Sequence, residues 1–202
     1  MLTFYNRYLL IFNNILILLK IDLDMTKRND FIWNAIQTAT WFIFAGFCVQ
    51  TGALLFNYIY SLYKPVATYN LYLGLNLSAL YTRSIALYSF LFAILIGLSF
   101  FKAFVFYTVI KIFKKLNFIK PFSKDVHRFI AKTAYYTFSI GIVSLIANKI
   151  VEQLITKGFD VGGILGHWND YVAFLMMAAI LFVISLIFQK GIELQNENDL
   201  TV

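Results

Sequence analysis

The chain has 202 residues, 60% of them hydrophobic and only 13% charged, with a formal net charge of +7. A water-soluble globule is excluded, because a fold of this size keeps too much surface to hide that apolar excess. One cysteine, Cys48, excludes an internal disulfide, and the basic residues flank apolar runs, which reads as membrane topology and not as a direct nucleic-acid surface.

The first 24 residues stand apart. "YLLIFNNILILLKI" is short for a membrane span, and no small-residue cleavage site follows it. Asn6, Arg7, Asn13, Asn14 and Lys20 recur at helical spacing and make a narrow wet stripe. That pattern suits a helix lying in the interface. The alternative is an upstream extension, with Met25 as the natural start. Residues 25–202 are then a single membrane domain.

Four apolar segments follow, each long enough to cross a bilayer as a helix. The first runs from about Phe31 to Leu62 and ends at Lys64-Pro65. Asn34, Gln37, Gln50 and Asn57 make it polar for a span, while Ala45, Cys48 and Gly52 form a small-residue face expected to pack inward. The second runs from about Ile85 to Phe113, with Ala86, Ser89, Ala93 and Gly97 as its small face. Lys111, Lys114 and Lys115 share one side of its end, so this helix continues beyond the lipid. Pro121-Phe122-Ser123 breaks the chain; Ser123 is an N-cap candidate, and Asp125 sits in the positive first turn that follows.

The third span runs from about Val126 to Ile155. Ala134, Thr137, Gly141, Ser144 and Asn148 fall on one face, all small or polar, and are read as its packing seam. Lys149 and Glu152 are spaced for an ordinary ion pair. "GFDVGGILG" reads as a flexible turn, and "HWNDY" as a solvated loop with Trp168 and Tyr171 at the interface. The fourth span runs from about Tyr171 to Phe188. A short polar and acidic tail, 189–202, closes the chain.

Lysine and arginine set the orientation. Lys114, Lys115, Lys120, Lys124 and Arg128 lie between spans two and three, and Lys27 and Arg28 precede span one. The other two connections carry little positive charge. The expected fold class is therefore an all-α integral membrane protein, a four-transmembrane-helix bundle with both termini cytoplasmic.

An ionisable residue inside a span is a functional candidate by default. Lys102, in "LSFFKAFVF", either snorkels to the cytoplasmic interface or is buried against Gln37 or Thr40. Lys132 lies at a similar depth, and two lysines on one cavity would favour an anionic ligand. His127 and His167 fall on opposite sides of the membrane. His167 with Asp160 and Asp170 is better explained as a solvated loop than as a metal site. No nucleophile-base pair, phosphate loop or zinc-protease motif occurs. No catalytic residue, cofactor or metal is expected.

"SLYKP", "NLYLGLNLSALYTRS", "VIKIFKKLNFIKPFS", "YYTFSIGIVSLIANKI" and the closing "KGIELQNENDLTV" together resemble domain-of-unknown-function family 2975, over Met25 to Val202. The resemblance implies a multi-pass protein of the bacterial cytoplasmic (inner) membrane. It also implies a small helix-turn-helix transcription regulator as neighbour and partner, and it carries over no catalytic residue. A non-enzymatic signalling or regulatory role is the leading expectation, with homo-oligomerisation open. The alternative is a small transporter, channel or immunity-type protein handling a ligand within the bilayer.

Overall fold

The computed structural model describes residues 2–117 and 120–200, with side chains from 31 to 198 apart from 118, 119 and 162. The stripe expected from Asn6 to Lys20, the flanking charges Lys27 and Arg28, and Asp199 of the tail have side chains outside that set.

Among the described residues there are five α-helices: α1 Leu2–Tyr63, α2 Ser78–Arg83, α3 Ile85–Lys115, α4 Lys124–Thr156 and α5 Tyr171–Leu200. Short 3-10 turns occupy Pro65–Tyr69, Tyr72–Gly74 and Gly162–His167, and no strand occurs among the described residues. Among the described residues four stretches are long and apolar enough to cross a membrane: Phe31–Tyr63, Ile85–Lys115, Lys124–Thr156 and Gly163–Asn198. This is the pattern of a multi-pass membrane protein. The segment after Phe188 does not leave the helix, since α5 continues through it to Leu200.

The chain forms two compact units, Met1–Ala39 and Thr40–Val202. The first lies within α1, and Phe31, Ile32 and Ile36 on it are exposed. The second holds the remainder of α1 and all other elements.

Local chemistry places the breaks. Pro65 stands one residue past the end of α1, after Lys64, and opens the next 3-10 turn at its first position. The Ser84 hydroxyl accepts from the Leu87 amide at 3.3 Å, capping α3. Ser123 caps α4 in the same way through the Val126 amide, as its position in the sequence leads one to expect. Lys114 and Lys115 sit in the last turn of α3 and Asp125 in the first turn of α4, each complementing the helix dipole. Gly158 holds a positive φ of 80° just past α4, where a side chain would be strained.

Helix α4 is the centre of the second unit and packs against both α3 and α5. Its seam is the one read from the sequence: Ala134, Thr137, Gly141, Ser144 and Asn148 are all buried. Gly141 admits Leu175 of α5 so closely that a Cβ there would lie 2.7 Å from Leu175 Cδ2. The antiparallel register is marked by Thr108 against Thr133 (2.8 Å between hydroxyl oxygens), by Phe104 edge-on to Tyr136 and by Tyr135 edge-on to Phe182.

Of the small faces expected on the first two spans, Ala45, Cys48, Gly52, Ala86 and Ala93 are exposed, and Ser89 and Gly97 are half-buried. Helix α3 instead buries Tyr88, Leu91, Phe92, Leu95 and Leu98. The reason is that the two connections on that side fold back over it. Leu71, Leu75, Leu77 and Leu80 from one, and Val161, Ile164 and Trp168 from the other, join α3 and α4 in one core. Trp168 is 1% exposed. The stretch read as a flexible turn and a solvated loop is therefore a packed cap. Its large apolar side chains gain more from burial than from the interface.

The Gly141–Leu175 contact gives a direct test. Gly141→Val should destabilise the protein by about 1–3 kcal/mol, the usual range for overpacking. Gly46→Ala, where a Cβ meets nothing within 4 Å, should not lower the unfolding midpoint, since alanine is the better helix former. Thermal unfolding in detergent reads both.

Candidate functional site: the polar layer around Lys102

Lys102 is half-buried on α3. A helical side chain leans toward its helix N-terminus, and α3 starts at the capped end. The lysine stem therefore rises toward the start of α5, and its ammonium lies 5.3 Å from the centroid of the Phe174 ring. The ammonium thus lies toward the start of α5, away from the end of α3 that carries Lys114 and Lys115. The charge of Asp170 reaches Lys102 from just before α5, and Lys102 in turn acts on His167.

The remaining candidates separate. Lys132 is exposed on α4 beside Thr133, which meets Thr108. Six residues of α3 between positions 102 and 108 amount to roughly 9 Å of rise, so the two lysines do not share a cavity. Thr40 is buried in the second unit, and Gln37 is half-buried in the first. His127 lies at the opposite end from His167, its Nδ1 3.0 Å from the Ser185 carbonyl. Lys149 and Glu152 form the expected pair, at 2.8 Å. Among the described residues no three His, Cys, Asp or Glu side chains converge as metal ligands.

What sequence reading missed is the company around Lys102. The α4–α5 register set by Gly141–Leu175 and Tyr135–Phe182 puts Ser144 and Asn148 at the level of the residues just before and at the start of α5. That is where His167 and Trp168 sit. Asn148 Nδ2 donates to Glu152 at 2.8 Å, which turns its Oδ1 the other way. Ser144 Oγ, Asn148 Oδ1, Trp168 Nε1 and both His167 ring nitrogens are buried without a hydrogen-bond partner; the Ile164 carbonyl lies beside the imidazole without hydrogen-bond geometry. The one signal in the sequence was the Ser144–Asn148 pair on the α4 seam. Trp168 carried none, because it looked interfacial.

The other end of the molecule is built differently. Phe122, in the connection before α4, sits on Gly191 of α5 so tightly that a Cβ there would run into its ring. Phe122 also meets Phe188 edge-on, centroids 5.3 Å apart. Beside this contact an open, apolar groove of about 620 Å³ runs along α5, with Val183, Leu186, Ile187 and Leu194 among its walls.

The profile of a family of proteins of unknown function, DUF2975, matches residues 54–202. The chain belongs to DUF2975. The matched stretch starts later than Met25, the limit read from the sequence, and takes in α2 to α5 with the last third of the α1 span. Within this DUF2975 chain, both the Lys102 layer and the Phe122–Gly191 contact fall inside the match. No curated protein and no solved structure matches the chain significantly.

Gly191→Val should unseat Phe122 and free the connection. Trypsin cleavage after Lys120 or Lys124 should then accelerate several-fold in detergent, while Gly52→Ala, with open space at its Cβ, should cleave like the parent.

Proposed function

We propose that the protein is a non-enzymatic regulatory component of the bacterial inner membrane. Both termini face the cytoplasm, and it docks a small helix-turn-helix transcription regulator there. The observation that carries this reading is the seating of Phe122 on Gly191 and Phe188. That contact joins the basic connection and the acid-bearing end of α5 into one surface, with an apolar groove beside it. Leu194 stands 61% exposed beyond the apolar part of α5, where water would otherwise cover it.

Charge alone is a weak basis for such docking. Asp125 is already paired with Lys115 at 3.7 Å and Arg128 at 3.3 Å, and Lys190 with Glu193 at 2.6 Å. Exposed pairs of this kind contribute little. In this reading the groove supplies the affinity, and the charges steer the encounter.

A second reading, a small transporter, channel or immunity-type protein, is favoured by the half-buried Lys102. If it holds, Lys102→Met alters flux or ligand protection.

The regulatory reading is tested by recovering a co-encoded helix-turn-helix regulator on the full chain, on a chain lacking 190–202, and on Leu194→Glu. Recovery should fall at least five-fold in both altered proteins; equal recovery from all three removes the docking surface. Alkaline phosphatase fused after Val202 should be inactive, and an active fusion would reverse the orientation.

A further inference from the structure

Hydrocarbon and packed protein offer a polar atom no solvent, so an unpaired buried donor or acceptor is costly, and native structures pair nearly all of them. Other buried hydroxyls of the bundle obey this rule. Thr137 donates to the Thr133 carbonyl at 2.8 Å, and Thr108 to the Val105 carbonyl at 2.7 Å.

The exceptions gather in one layer. Ser144, Asn148 and Trp168 are 1%, 8% and 1% exposed, and each carries an unpartnered polar atom. His167 adds two unpartnered ring nitrogens. Lys102 meets the face of Phe174, and no carboxylate among the described residues stands within ion-pair distance of it. The set is rich in donors: an ammonium, an indole N–H, a serine hydroxyl and one imidazole N–H in either neutral tautomer. Against them stand fewer acceptors: Asn148 Oδ1, the second imidazole nitrogen and the serine oxygen.

We propose that this layer binds a small monovalent anion, held by Lys102, Trp168 and Ser144. Size follows from the surroundings, since Leu95, Leu98 and Ala147 are buried in the same core and leave no room for a large ligand. Single charge follows from the carboxylates nearby: Glu152 accepts from Asn148 at 2.8 Å, and Asp170 lies two residues after Trp168. An anion that carries its own hydroxyl, such as bicarbonate, also satisfies Asn148 Oδ1; chloride and nitrate do not. The site stands whether or not the far end of α5 docks a regulator.

The test uses the full chain in lipid nanodiscs at constant ionic strength, with gluconate replaced stepwise by chloride, nitrate or bicarbonate. At least one of these should raise the unfolding temperature saturably, bicarbonate at the lowest concentration. Lys102→Met should abolish the rise, and Trp168→Phe, which loses only the N–H, should weaken binding five-fold or more. Asp170→Asn should tighten it by a similar factor, and Lys132→Met should leave it unchanged. No saturable rise with any of the three anions overturns the proposal and leaves the layer to water. So does a rise that survives Lys102→Met, or one lost equally in Lys132→Met. Should Lys102→Met fail to fold, Trp168→Phe decides, and undiminished affinity there overturns the proposal.

Discussion

The fold depends on one constraint: hydrocarbon gives a polar group nothing to bond with. Helices settle the backbone. Side-chain hydroxyls and amides must then find partners inside the bundle, and most turn back on their own helix. Thr51 donates to the Phe47 carbonyl, Asn57 to Ala53 and Ser139 to Tyr135, at 2.8 to 2.9 Å. A smaller set reaches across. The Ser61 hydroxyl is committed to the Tyr58 carbonyl, so the Tyr88 phenol, 2.5 Å away, must donate to it. Thr51 with Ser99, and Thr108 with Thr133, bring hydroxyl oxygens to 2.9 and 2.8 Å across helix pairs. Since lipid provides no apolar drive for helices to associate, these bridges and close packing decide which helices stay together.

The two ways of associating differ in distance. Between α4 and α5 a glycine lets Leu175 come into contact with the α4 backbone. Between α1 and α3 aromatic rings stand in the gap: Phe47 stacks on Phe106 at 5.6 Å and Phe44 lies 6.0 Å from Tyr107. Stacked rings hold the two helices apart, and a crevice of about 480 Å³ opens beside them, with Cys48 and Gly52 on one wall and Ala103 on the other. Small residues permit close approach but do not compel it. The partner must present a side chain that fits, and here α3 presents Phe100, Phe104 and Tyr107.

That contrast explains what could be read in advance. The four spans were legible because their length and composition are set by the bilayer, whatever the packing. The α4 seam was legible because its polar members, Thr137, Ser144 and Asn148, have no acceptable place on lipid. The α1 face of Ala45, Cys48 and Gly52 has no such polar member to force it inward, and it lies exposed. The cap was not legible either. Leu77, Leu80, Ile164 and Trp168 are spread over two connections, and only their meeting in space makes them a core. For the same reason the polar layer escaped the sequence reading: it needs α3, α4 and the turn before α5 together. A count of depth along the helix leaves out the lean of the Lys102 side chain toward the α3 N-terminus, which the structure supplies.

The family match and the core share an edge. Leu54, 1% exposed, is the first α1 residue in the buried cluster, and the matched stretch begins there. Beyond it α1 presents Tyr58 to Tyr88 and Phe92, and Ser61 to the Tyr88 phenol. Before it, Val49, Ile43 and Phe42 are exposed. The end of α1 nearest the cap is thus tied to the rest of the bundle by buried contacts. The matched stretch takes in the cap and the helices it closes, and Lys102 points toward the underside of that cap. A ligand bound there would bear on Trp168 and the turn before α5. Helix α5 runs unbroken from that turn to Gly191 and Leu194, so a change at one end has a rigid element along which to reach the other.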